Sequence, residues 1–158
     1  MFDTIGGLPV HALVVHAVVV LGPLAGLMLV AYAVKASWRR GLRWPTLAMA
    51  AISALSAAVA TSSGEDLEHR VGDPAYDHAE KGDLAAVSIY VLLGVAVVVI
   101  LFLLRANADA SKLTAVGVVL AVLAAGFSWF GVFNAGHSGA SSVWHEEIAN
   151  STSGGGGD

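Results

Sequence analysis

Four long apolar stretches separated by short polar segments set the pattern of this chain. The first runs from about Leu8 to Val34. The second begins near Trp44 and Pro45 and continues through TLAMAAISALSAAVATSS. The third spans Leu84 to Leu104, and the fourth Leu113 to Phe133. Each reaches the roughly 20 residues that a helix rising about 1.5 Å per residue needs to cross a bilayer. Short connections make consecutive helices antiparallel neighbours. The expected architecture is an all-α membrane protein, an antiparallel four-transmembrane-helix bundle. A single domain over residues 1–149 is followed by a flexible Ser/Gly tail, 150–158.

The charges orient this bundle. Lys35, Arg39, Arg40 and Arg43 lie between the first two helices, and Arg105 and Lys112 between the last two. Arg70 and Lys81 fall on the other side, where every acidic residue except Asp109 also lies. The positive-inside rule makes the basic side cytoplasmic, so both termini are expected outside in a multi-pass protein of the plasma membrane. The opening MFDTIGG carries Asp3 and no basic residue, the opposite of a secretory n-region. The first helix is therefore expected to be retained.

Composition narrows the function classes. Hydrophobic residues make up 56% of the chain and charged residues 13%, with mean hydropathy +0.74, which a soluble domain of 158 residues could not sustain. A net charge of -4 without a basic stripe argues against nucleic acid as a partner. The absence of cysteine excludes disulfides, thiolate zinc sites, an iron–sulfur cluster with cysteine ligands in this chain, and covalent haem attachment.

Small residues point to close helix packing. Gly22 and Gly26 form a small-xxx-small pair on the first helix, and Pro23 between them predicts a kink. The second helix carries Ala48, Ala51, Ser53, Ala54, Ala57 and Ala58, which predicts a central position for it.

All six histidines fall on the expected outer half. His11 and His16 open the first helix, His69 follows the second, His78 precedes the third, and His137 and His145 follow the fourth. Every helix thus delivers a histidine to one end. Asp73–Pro74 is a good helix start that would carry His78 on an outward extension. SGEDLEHR would extend the second helix, setting Glu65 and His69 one turn apart. At 100° per residue His11 and His16 lie about 140° apart, while His11 shares a face with Gly22 to within about 20°. His16 is deeper, and an ionisable side chain inside a bilayer is by default a functional candidate. Trp129, Phe130, Phe133 and Trp144 fit an outer aromatic belt or the lining of a cofactor pocket.

GLPVHALVVHAVV, ATSSGEDLEHRVGD, HAEKGD and GHSGASSVW, in that order, resemble the bacterial membrane proteins of the domain of unknown function 2231 family, in its short actinobacterial form. The likeness extends to about Trp144. It implies a four-helix membrane domain and singles out His11, His16, Gly64, Glu65, Glu68, His78, Gly136 and His137. Some relatives join this domain to a Rieske iron–sulfur domain, an association with redox chemistry by analogy. Where other members place a proline after the first histidine, this chain has Ala12.

Three functions compete on these residues. In the first, haem b or another redox cofactor for electron transfer is held by His11 or His16 from the first helix and by His78 or His137 from another. In the second, copper or zinc is bound by a set drawn from His11, His16, Glu65, His69, His78 and His137. In the third, the chain is a non-catalytic accessory subunit whose histidines lock the end of the bundle. An enzyme is the least supported class, because no nucleophile–base pair or phosphate loop is present. Expected partners are the lipid bilayer, a redox partner or membrane complex, and a second copy of the chain.

Overall fold

The computed structural model describes residues 4–5, 8–71, 78–104 and 112–153, with side chains described for 11, 13–66, 79–104 and 112–141. A two-rung antiparallel ribbon, β1 (Thr4–Ile5) and β2 (Leu8–Pro9), leads into α1 (Val10–Val34). A short 3-10 turn (Ala36–Trp38) connects it to α2 (Arg39–Val71). Then come α3 (His78–Val97), which widens into a π-helical turn (Val98–Leu103), and α4 (Lys112–Ser153). Among the described residues, four helices are long and apolar enough to span a membrane.

The helices outrun the apolar stretches, because backbone hydrogen bonding continues where hydropathy stops. α2 begins at Arg39 and runs unbroken through Pro45. Proline leaves the carbonyl four residues back, on Gly41, without its helical donor; Gly41 is exposed, which leaves that carbonyl open to solvation. The same helix continues through the SGEDLEHR segment to Val71. α3 starts at His78, and the Asp73–Pro74 start lies outside the described residues. α4 does not stop near Phe133 but reaches Ser153, past residue 149, so the first residues assigned to the tail are helical.

Small residues make the close helix contacts, and larger ones fill the space between them. The interior combines Ala25, Ala50, Ala54, Ala57, Ala96 and Ala121 with Leu29, Tyr32, Ile89, Leu92 and Ile100, whereas Leu55, Phe102, Leu123 and Phe133 are exposed. Apolar side chains gain nothing by hiding from lipid tails, so close backbone approach and dispersion select small residues for the contacts. α1 lies against α2 and α4, and α3 against the same two, while α1 and α3 touch only briefly. α2 therefore stands at a corner of the bundle instead of its centre, its alanine ridge inward and Ile52, Leu55 and Val59 outward.

Gly22 marks a central layer. A Cβ there would run into Ile89 Cδ1 and would lie 3.3 Å from Ser53 Oγ and 3.6 Å from Ser128 Oγ, so all four helices converge on it. Four residues on, a Cβ at Gly26 would meet Ala125 Cβ at 3.1 Å. Ser53 and Ser128 are fully buried, and among the described residues their hydroxyls have no hydrogen-bond partner. An unpartnered buried hydroxyl costs about 1–3 kcal/mol. Ser53→Ala or Ser128→Ala is therefore expected to raise the melting temperature in detergent, and a fall of several degrees would contradict that balance.

The opposite end from His11 is fastened by two polar side chains. The Tyr32 hydroxyl donates to the Leu104 carbonyl, and the Ile100 carbonyl lies 3.4 Å from it. It thereby reaches carbonyls at the π-helical turn, whose wide hydrogen bond runs from Leu104 N–H to the Val99 carbonyl at 2.7 Å. Arg39, only 2% exposed, donates to the last carbonyls of α1: Nη2 to Ala33 at 3.2 Å and Nε to Tyr32 at 3.4 Å. One cation thus caps a negative helix end.

Candidate cofactor site at the His11 end

His11 sits in the first turn of α1 and packs on the far part of α2. Its Nδ1 lies 2.9 Å from the Ala60 carbonyl oxygen. A carbonyl only accepts, so Nδ1 carries the proton, and in the neutral ring Nε2 is the basic nitrogen. Gly64 makes this seat. A Cβ at that position would stand 3.1 Å from His11 Cε1 and 3.2 Å from Nδ1. The Ser63 hydroxyl, donating to the Val59 carbonyl at 2.7 Å, also lies 3.1 Å from the Ala60 carbonyl, so that oxygen has more than one donor near it.

The remaining histidines distribute unevenly. His16 is exposed on the outward side of α1, as its angular separation from His11 requires. His137 is exposed on α4, its ring stacked on Phe133 with centroids 6.2 Å apart and planes 8° from parallel. Its own carbonyl accepts from Ser141 Oγ at 2.9 Å. The buried residue there is its neighbour Ser138, whose hydroxyl donates to the Ala135 carbonyl at 3.0 Å. Side chains of His69, His78, Glu68 and His145 lie outside those described; their backbones belong to α2, α3 and α4. Glu65 is exposed, one residue beyond Gly64. Among the described residues, no three of His, Asp and Glu converge as a metal-holding group.

Sequence reasoning brought His11 and Gly64 forward separately; their contact is what the fold adds. It missed Ser138, which shares the inward face with Gly131 two turns earlier; that face is set by the packing of α4, which spacing alone does not supply. It also set Trp129 near an outer belt. The indole Nε1 instead donates to the Pro23 carbonyl at 3.2 Å, close to the middle of both spans.

The seat makes a specific prediction. Gly64→Val drives a branched side chain into the His11 ring and breaks its bond to Ala60, with a stability loss of about 1–3 kcal/mol from overpacking. Gly94→Ala, where nothing lies within 4 Å, leaves stability unchanged or raises it. Paired thermal melts check this, and equal behaviour of the two variants would refute the seat.

Four helices long and apolar enough to cross a membrane, closely packed on one another and with a seated imidazole at one end, define a multi-pass membrane protein. The chain belongs to the family described as "Predicted membrane protein (DUF2231)", whose model matches residues 7–152. No curated protein and no solved structure matches the chain.

Proposed function

We propose that this chain is a plasma-membrane protein with an antiparallel bundle and both termini outside, which binds haem b, or a related imidazole-ligated redox cofactor, at its His11 end for electron transfer. The observation that carries the reading is the fixed orientation of His11. A ligating histidine commonly donates its other ring N–H to a carbonyl or carboxylate, which sets the tautomer and raises the basicity of the ligating nitrogen. His11 makes that bond to Ala60, and in this reading Nε2 is the ring nitrogen that ligates iron.

Helix arithmetic supports a partner for it. Gly22, Ser53 and Ile89 share the central layer. Eleven residues toward the His11 end lead from Gly22 to His11, from Ser53 to Gly64 and from Ile89 to His78. Eleven residues make about three turns, roughly 16 Å of rise, and return to the same face within about 20°. His11 and Gly64 do meet. By the same step α3 carries position 78 at that level, on the face that Ile89 presents to Gly22. In this reading His11 and His78 are the axial ligands and His16 and His137 are not. When bound, the haem would supply a one-electron couple, and the protein would supply ligation and a low-dielectric surround.

Haem leads over copper or zinc because one oriented imidazole from each of two helices suffices for it, whereas a closed zinc site takes four protein ligands. Titration of the detergent-purified chain with haemin tests the choice. A saturable Soret band is expected. A folded protein that stays colourless, but carries stoichiometric zinc or copper by metal analysis, would replace haem with the metal.

A further inference from the structure

The two hydroxyls beside the His11 seat are not equivalent. α2 carries Ser62 and Ser63 side by side, and each folds back on its own helix, as serine does in a helix interior. Ser62 Oγ donates to the Ala58 carbonyl at 3.0 Å and Ser63 Oγ to the Val59 carbonyl at 2.7 Å. Ser63 has a second acceptor in reach, the Ala60 carbonyl at 3.1 Å. That oxygen is the one His11 Nδ1 binds at 2.9 Å. Because α2 is helical through this stretch, Ala60 also receives the Gly64 N–H. Three donors therefore meet an oxygen with two lone pairs. The backbone fixes the helix bond, which leaves the second lone pair contested between an imidazole N–H and a hydroxyl.

The ring cannot slide away to relieve this contest. A Cβ at Gly64 would stand only 3.1 Å from His11 Cε1 and 3.2 Å from Nδ1, so the backbone there is the wall on which the imidazole rests. The hydroxyl is the mobile member, since turning its O–H redirects the proton from Val59 to Ala60. Whatever share of the lone pair Ser63 takes is lost to His11. A weaker Nδ1–H bond to the carbonyl makes the opposite ring nitrogen a weaker electron donor.

We propose that Ser63 is a positioning residue that acts through the Ala60 carbonyl and sets how strongly His11 Nε2 donates electrons to the group it ligates. Its consequence for a reduction potential rests on the haem reading above: the hydroxyl holds the potential up, because a stronger Nε2 donor favours ferric iron. The contest for the oxygen needs no cofactor.

The test is 15N NMR of the detergent-purified full chain with labelled histidine, the His11 resonances being assigned by their loss in His11→Ala. The variants are Ser63→Ala, Ser63→Thr, which keeps a hydroxyl, and Ser62→Ala as the neighbouring control. Ser63→Ala is expected to move the Nδ1 resonance downfield, the direction of a stronger donated bond. Ser63→Thr and Ser62→Ala should stay at the parent value. Haem-loaded Ser63→Ala should show a lower reduction potential than the parent. Its haemin affinity should change far less than the roughly 10–100-fold that loss of a supporting group costs. An unmoved Nδ1 resonance in Ser63→Ala, or an equal shift in Ser62→Ala, would overturn the role of Ser63, and so would an unchanged potential in the loaded variant. A shifted resonance in a chain that takes up no haem would uphold the role of Ser63 and overturn only the haem reading.

Discussion

Replacing Gly131 with leucine is expected to abolish the folded bundle, leaving aggregated material on size exclusion in detergent. A Cβ at 131 would fall 2.6 Å from Ser88 Oγ, 3.1 Å from Ser88 Cβ and 3.1 Å from the Ala85 Cα. The serine cannot easily retreat, because its hydroxyl is held to the Ala85 carbonyl at 2.7 Å in a fully buried site. Nor can the Ala85 backbone move without carrying α3 away from α4. Alanine alone should cost about 1–3 kcal/mol, the usual range for overpacking. Leucine adds three more carbons to a contact with no depth to receive them. Gly126→Leu is the matched control, because that glycine is exposed with nothing within 4 Å, and it should melt like the parent. The pair separates a packing failure from a general intolerance of α4 to leucine.

His11→Ala has the largest expected effect on function and a small one on folding. Loss of the hydrogen bond to Ala60 removes about 1 kcal/mol, the net worth of such a bond. The cofactor, if His11 ligates it, loses an axial ligand outright. Gly64→Val disturbs the seat without removing the imidazole, and supporting positions of this kind typically cost 10–100-fold in affinity. His16→Ala, on the outward face of α1, should alter neither binding nor melting by a comparable amount. The order of effect His11→Ala, Gly64→Val, His16→Ala, measured by haemin titration with melts alongside, distinguishes ligation from a structural role. If His11 were only a lock, the three variants would rank by melting temperature and all bind alike.

The helices were legible in the sequence because a bilayer imposes a length and a composition on anything that crosses it. Their ends were legible only in part: SGEDLEHR marked the far extension of α2, but α2 also passes through Pro45 and α4 continues for twenty residues beyond Phe133, and neither of these leaves a mark in hydropathy. The place of α2 was misread because alanine richness specifies one close-packed face, not contact all round. The two histidines of the first helix were separable by angle alone, and the structure puts His11 on α2 and His16 outward accordingly. His137 could not be placed that way. Its face depends on the rotation of α4, which Gly131 and Ser128 set by packing on α3 and α1, turning Ser138 inward and His137 out with Phe133. Arg39 was counted only for its sign, since burial of its guanidinium is a property of the folded turn and not of its spacing.

The most direct test of the central claim is the dithionite-reduced minus oxidised absorption spectrum of protein purified from cells supplied with haem precursor, recorded for the parent, His11→Ala and His78→Ala. The account predicts a sharp α-band and a Soret shift in the parent and their loss in both variants, with melting temperatures close to the parent. A folded parent without these bands, or bands that survive both substitutions unchanged, would contradict it.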